Sequence, residues 1–449
     1  MKYITLLDYI LLPFVLAFIY FIAYRIRNKK YPENHPWRKY YMTGLSVKLF
    51  GAVFNGMLHY YYYGGGDTFN FFYHSEIING ALDESVIKWI NLLFRIPDYD
   101  SIDYYRYTSQ MYWYSDPSSY TVGAIGAALG IFTFNTYLPT AALFAFISYS
   151  GLWAMFRTFS GLYPHLTRQI AVCILFIPTT VLWGSGIYKD TVCMFGLGWL
   201  TYGVFRFLVQ KDFSAKNILL AVISFLLIAA VKVYILIAFM PALGMWILFN
   251  YTQPIKNRLL KQTIKLVAIA LVVSASVALM SVYSKQLGTY SLDRIANTAA
   301  ETRQWIYFVS ENEDGSSYSF GKIDPTIEGM LLKFPQAVNV TLFRPYLWEV
   351  KKPIMVLSAL ESLLFMYLTL RVLFLIGLPK FWRSINKDST IQFCLIFSLI
   401  FAFAVGITTY NFGSLSRYKI PCLPFYALAM ILIFYKHQPA GKKILPPFF

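Results

Sequence analysis

An all-α, polytopic membrane fold is what this 449-residue sequence predicts, and three observations carry that reading. Hydrophobic residues make up 57% of the chain and aromatic ones 19%, against 14% charged. Apolar runs of membrane-spanning length, about 20 residues as a helix, recur from end to end. Lysine and arginine collect in alternate loops between those runs, the bias that sets orientation in a bilayer. The net charge of +17 therefore reads as a topology signal and as attraction to anionic membrane lipids. No nucleic-acid partner is expected, because the basic residues are scattered over membrane-flanking loops and form no single face.

Taken in order, eleven segments qualify or nearly qualify as spans: 5–24, 41–62, 137–157, 169–185, 191–209, 217–231, 233–250, 264–282, 353–376, 390–409 and 419–435. The first is too long for the apolar core of a signal peptide, and no small-residue cleavage site precedes Arg25, so it is expected to remain. The apolar run from Ile218 to Phe249 is too long for one span and is interrupted by Lys232, so the chain is expected to turn there. The stretch 119–134 is apolar but short and rich in glycine, which predicts a half-inserted or interfacial helix. Reading it as a full span would invert everything after it and spoil the charge bias. Cys173, Cys193, Cys394 and Cys422 lie in or beside spans, with no metal spacing and no external pair for a disulfide. Residues 1–449 thus read as a single membrane domain with two functional loops.

Orientation follows from charge. If loop 25–40 is cytoplasmic, so are 157–168, 206–216, 251–265, 379–389 and 436–449. These six hold 21 Lys or Arg against three acids, Glu33, Asp212 and Asp388. The opposite side holds two long loops, 63–118 and 283–352, with sixteen of the 22 acids. The N-terminus is then outside and the C-terminus cytoplasmic.

The first external loop opens on Tyr60-Tyr-Tyr-Tyr-Gly-Gly-Gly-Asp67. Glycines allow a sharp turn and a close approach to a ligand, and they deliver the Asp67 carboxylate onto an aromatic platform. Residues 76–95 carry Ile77, Ile78, Ala81, Val86, Ile87, Ile90 and Leu93 at helical spacing, which predicts a helix lying on the membrane surface. Aromatic and acidic residues follow through Tyr112, Trp113 and Asp116. The second loop has a polar centre at Glu311-Asn-Glu-Asp-Gly-Ser-Ser and an amphipathic piece at 326–338, then ends near Arg344 and Glu349. Loops this long are usually functional in compact proteins.

Ionisable residues at the outer ends of spans add a second layer. Lys189 and Asp190 close 169–185, Lys232 marks the turn, Arg344 and Glu349 precede 353–376, and Arg417 with Tyr418 precedes the last span. In this topology all of them emerge on the side of Asp67. An acid beside fixed cations suits an anionic phosphate group together with a proton-accepting base.

These elements resemble the GT-C class of membrane glycosyltransferases, which use lipid-phosphate-linked sugars. Gly-Gly-Asp67-Thr-Phe-Asn-Phe-Phe-Tyr-His is similar to the family's essential acid early in the first external loop. Pro178-Thr-Thr-Val-Leu-Trp-Gly-Ser-Gly-Ile-Tyr-Lys-Asp190 is similar to its second external loop, Ala229-Ala-Val-Lys232 to its lysine at a helix turn, and Arg417-Tyr-Lys-Ile-Pro with Pro424 to its late Arg-Tyr-x-x-Pro element. The resemblance spans about 40–440. Three features depart from it: the extra helix 5–24, Tyr137-Leu138-Pro139 in place of an Arg-Leu, and no soluble domain after the last span. Ser185-Gly-Ile-Tyr-Lys-Asp and the late arginine also resemble surface polysaccharide polymerases.

The resemblance implies a bacterial inner-membrane enzyme, with a lipid-linked sugar donor and a glycan, lipid or protein acceptor. Asp67 is the implied base for the acceptor hydroxyl, and Lys189, Lys232, Arg344 and Arg417 are the implied phosphate contacts. Tyr73, His74, Glu76, Tyr112, Trp113, Glu349 and Tyr418 are candidate substrate contacts. The pattern fixes no cofactor; Asp190, the candidate metal ligand, could with His74 and Glu76 bring in a divalent cation, Mg or Mn. A second alternative is transport, for which Asp8, Lys48, Lys232 and Glu361 would mark a path through the membrane. Against it, no repeat symmetry of the transporter kind is visible.

Overall fold

The computed structural model describes residues 3–252, 255–282, 295–312, 316–321, 324 and 326–437. Among them every regular element is helical, and extended segments pair only at one antiparallel bridge, Ser317 with Asn411. The chain forms two compact units, Met1–Val233 and Tyr234–Phe449.

The first unit contains α1 (Leu6–Lys30), α2 (Arg38–Leu58), α3 (Asp67–Gly80), α4 (Val86–Leu93), α5 (Tyr105–Thr108), α6 (Pro117–Gly130), α7 (Tyr137–Leu162), α8 (Thr167–Leu175), α9 (Pro178–Leu182) and α10 (Lys189–Val204). The next helix, α11 (Ala215–Thr252), runs across the unit boundary. α7 lies in the middle of the first unit, against α1, α2, α6, α8 and α10. Its crossing with α10 is close enough that a Cβ on Gly198 would strike the Gly151 carbonyl. Small residues permit such an approach where lipid supplies no hydrophobic drive for association.

Two buried charges, Asp8 and Lys48, serve helix ends. The Asp8 carboxylate accepts from Thr5 N at 2.9 Å and from Leu138 N, in the first turn of α7, at 2.8 Å. Lys48 of α2 donates to the carbonyls of Thr180 and Gly184, at the end of α9. Helix termini leave such backbone groups without partners, and both charges answer that need.

The second unit contains α12 (Arg258–Val282), α13 (Ile295–Asn312), α14 (Ile327–Leu331), α15 (Phe334–Phe343), α16 (Met355–Ile376), α17 (Leu378–Lys387), α18 (Ser389–Thr408), α19 (Phe412–Tyr418) and α20 (Leu423–Lys436). Its core is aromatic. Phe239 packs on Phe393, Phe397 and Phe425, with ring centroids 5.0–5.9 Å apart.

Several expectations change in detail. Among the described residues six helices are long and apolar enough to cross a membrane, and α19 with α20, bent by 68°, makes a seventh if taken as one span. The predicted span 169–185 is broken into α8 and α9, because Pro178 starts a new helix and has no N–H to continue the old one. The predicted surface helix 76–95 divides as well: α3 ends at Gly80, and Ser85 caps α4 by accepting from Ile87 N. Ile77, Ile78, Ala81 and Leu92 are buried there with Tyr107, Met111 and Tyr120, while Val86 and Ile87 stay exposed. The amphipathic piece at 326–338 is two helices, α14 and α15, with Pro335 in the first turn of the second. α13 was not anticipated. The chain does turn at Lys232, whose φ of −149° and ψ of 77° interrupt α11. Residues 283–294, 313–315 of the acidic centre and 438–449 of the last basic loop lie outside the described residues.

Candidate functional site

The Asp67 turn is built by backbone geometry. α2 runs into a π-helical turn, His59–Tyr63, of a kind that often marks functional sites. Gly64 and Gly66 then take φ of 67° and 131°, values that suit glycine, and a Cβ on Gly66 would lie 2.8 Å from the His59 ring. Asp67 is thereby the first residue of α3, where the helix N-terminus favours negative charge. Thr68 and Phe69 anchor that turn on Tyr137, through a 2.7 Å hydroxyl pair and rings 4.5 Å apart. Tyr137 is therefore the seat of the Asp67 turn.

Four of the sequence-predicted residues meet here. The Lys189 ammonium feels the charges of Asp116, Lys232 and Asp67. It lies 3.2 Å from Asp116 Oδ2 and donates to Ser118 Oγ at 2.6 Å. Asp190, the next residue, points elsewhere and accepts from Lys232 Nζ at 2.6 Å in a pair with 5% and 7% side-chain exposure. Consecutive helical residues do not share a face, which is why neighbours in sequence serve different partners. Two ammonium groups thus each face a carboxylate, Lys189 on Asp116 and Lys232 on Asp190, with the charge of Asp67 also felt at Lys189.

Asp116 was not among the predicted site residues. It caps α6 by accepting from Ser118 N at 3.0 Å and Ser119 N at 3.3 Å. Burial pushes its carboxyl up, but the Ser119 hydroxyl, the Lys189 charge and Ser118 outweigh that and hold it at about 2. The signal was legible, since Asp followed by Pro at the first helical position is a helix start. A second missed group supports the turn from below. Tyr188 donates to Asn55 Oδ1 at 3.0 Å and meets His59 Nε2 at 3.0 Å, and Asn55 donates to the Leu182 carbonyl at 3.0 Å. No short motif announces a network drawn from two segments that lie far apart in the chain.

The aromatic candidates occupy the next turns of α3. Tyr73 stacks on Tyr112 at 6.1 Å, with Tyr112 exposed, Trp113 half-buried and Glu76 exposed. His74 is fully buried between Gly123 of α6 and the rings of Tyr112 and Trp113, 5.7 and 5.5 Å away. Burial lowers its imidazole to about 4, so it is neutral at physiological pH.

The remaining candidates belong to the second unit. Arg344 closes its guanidinium on both Glu349 oxygens, with Nε 3.0 Å from Oε2, under the rings of Tyr318, Tyr346 and Phe412. Arg417 and Tyr418 end α19 half-buried. Buried Lys419 donates to Ser362 Oγ at 2.9 Å and interacts with Glu361. Among the described residues no three His, Cys, Asp or Glu side chains are grouped as metal ligands. Compared with known protein families, curated proteins and solved structures, the chain matches none.

Proposed function

We propose that this chain is a multi-pass glycosyltransferase of the bacterial inner membrane, moving a sugar from a polyprenyl-phosphate donor to an acceptor on the outer side. The observation that carries the reading is the placement of Asp67 and Lys189 at the N-termini of α3 and α10, within electrostatic reach of each other. In the reaction the acceptor oxygen bonds to the anomeric carbon, and the bond from that carbon to the donor phosphate breaks. Polyprenyl phosphate leaves with the electron pair, and Asp67 takes the acceptor proton. Lys189 meets the phosphate charge. A lysine ammonium has three donors, and two of its N–H groups are directed at Asp116 and Ser118. Lys232, locked to Asp190, positions this end of the fold. A divalent cation bound through Asp190 would have to displace Lys232 from it.

The finer topology belongs to the same proposal. α11 has 38 residues, so at 1.5 Å per residue it would extend about 57 Å, nearly twice a bilayer core. Broken at Lys232, it counts as two spans. α2 with its π turn, α8 with α9, α12, and α19 with α20 bring the total to eleven, with loop 63–118 outside. A cysteine at Ser109 should then be labelled by an impermeant reagent from outside and one at Ser214 spared; both positions are exposed, and the four native cysteines are buried. The reverse pattern would reject the topology.

Asp67→Asn keeps the size of the side chain and removes the base. Transfer of labelled sugar from a polyprenyl-phosphate donor should fall by about two to four orders of magnitude. Near-normal transfer would reject Asp67 as the base. A polysaccharide polymerase would show the same loss with a ladder of lengthening products.

A further inference from the structure

α17 divides its residues by character. At about 100° per residue, Leu378, Phe381, Trp382 and Ile385 share one side, and Lys380, Arg383 and Lys387 lie on the opposite one. Leu378 and Trp382 are 63% and 61% exposed, and near the end of α16 Phe374 is 83% and Leu375 57% exposed, while Ile376 is buried. The apolar side is therefore exposed at Leu378 and Trp382, with Phe381 and Ile385 half-buried, close in sequence to exposed Phe374 and Leu375. The three cations are exposed as well.

Further charge is gathered around the helix. Lys265 donates to the Asn386 carbonyl at 3.2 Å, and Lys436 lies 3.2 Å from Asp388. Asp388 is already used twice, since it also caps α18 by accepting from Thr390 N and Ile391 N. Ser384, the buried residue of α17, hydrogen-bonds His437. Burial first, and then the charges of Lys380, Lys436 and Arg383, hold the His437 imidazole below its ordinary value, so three cations bear on one point.

We propose that α17 lies in the membrane interface and that Lys380, Arg383 and Lys387, with Lys265 and Lys436, bind the phosphate headgroups of anionic phospholipids. The apolar side sits among acyl chains and the cationic side takes the headgroups, the division that places a helix in the interface plane. A soluble phosphate would satisfy the cations but would have no use for Phe374, Leu378 and Trp382, so the bilayer is the source of the anion. The proposal rests on the membrane-spanning part of the functional reading and is independent of sugar transfer.

The test uses the full chain in phosphatidylcholine nanodiscs, titrated with phosphatidylglycerol brominated on its acyl chains. The Trp382 signal is the fluorescence difference between wild type and Trp382→Phe. Brominated phosphatidylglycerol should quench that signal at lower mole fraction than brominated phosphatidylcholine. Each cation near the surface contributes about fivefold to such selectivity, so Lys380→Gln/Arg383→Gln/Lys387→Gln should lower it by about a hundredfold. Lys380→Arg/Lys387→Arg should retain it. The control triple Lys29→Gln/Lys211→Gln/Lys216→Gln removes equal charge from the first unit and should leave the Trp382 titration unchanged. Quenching without headgroup preference would overturn the headgroup site, as would an equal loss in the control, which would assign the effect to overall charge. No quenching by either lipid would overturn the interfacial placement. The sugar-transfer assay on the same nanodiscs reports on the functional reading separately.

Discussion

Two cations, one from each unit, are held in different ways. In the second, Arg344 directs its fork at one carboxylate and lies beneath three rings, with 19% of its side chain exposed and 18% of Glu349. That pair is a closed structural peg, since a bidentate fork leaves little for an incoming anion. In the first, Lys189 has 24% of its side chain exposed, faces two carboxylates and donates to one hydroxyl. Beside it Lys232 and Asp190 are sealed from solvent. The contrast separates cations closed on a single carboxylate from a cation shared between a carboxylate and a hydroxyl, which the proposed mechanism uses. A basic residue at the end of a span is therefore no guide to binding until its partners are known.

The largest effect should come from the sealed pair. Lys232→Gln leaves the Asp190 carboxylate buried without its counter-ion, a loss of about 3–5 kcal/mol in stability. Lys232→Met with Asp190→Leu removes both charges and should recover most of it, because a buried pair is often replaceable by apolar groups. Thermal unfolding of the detergent-solubilised chain reads both. If the single variant unfolds within about 1 kcal/mol of wild type, Lys232 is no peg and returns to the list of phosphate contacts.

This comparison also shows where sequence reading stops. Apolar runs locate α1, α7, α16 and α18, because a helix in lipid must be apolar along its length. Lys232 as a turn was legible for the same reason: a charge in a run too long for one span. The Pro178 break was visible in the sequence, yet residues 169–185 still read as continuous because their composition stays apolar. Pairings were not legible. Asp8 reaches Leu138, Asp116 reaches Lys189, and Tyr188 reaches Asn55 and His59 across long separations that carry no periodic signal. Which carboxylate holds which ammonium needed the fold: Lys189 lies against Asp116 and Lys232 against Asp190. His74 reads in the sequence as a candidate substrate contact, and the fold buries it between Gly123 and the rings of Tyr112 and Trp113.

His74 supplies the intermediate effect. The unfolded chain takes up this proton near the ordinary histidine value of 6.5, the folded one only near 4, so the folded state loses stability as pH falls through that window. Between about pH 7 and pH 5 the loss should be about 2 kcal/mol, and His74→Phe, which keeps a ring against Gly123 and Trp113, should abolish it. Urea unfolding of both proteins at the two pH values decides the matter. Equal pH slopes would mean that the α3–α6 wedge opens before the imidazole titrates.

The smallest effect on stability is the sharpest test of the contrast between units. Asp116→Asn keeps a capping residue at the start of α6, because asparagine caps as well as aspartate, and removes the charge that faces Lys189 together with one of two acceptor oxygens. The Asp116 side chain is 43% exposed, so solvent screens the pair and the stability change should stay under about 1 kcal/mol. The pH limb gives the sign. A carboxyl held at about 2, below the ordinary 3.8, stabilises the fold above the higher value, and that contribution is lost as pH falls toward the lower one. The variant should lack this acid limb. If Lys189 is the available cation, freeing it from Asp116 should lower KM for the lipid-linked donor by about two- to fivefold, the range a screened pair allows. An unchanged KM, with more than about 2 kcal/mol of lost stability, would make Lys189–Asp116 a peg like Arg344–Glu349 and remove the phosphate contact from the proposed mechanism.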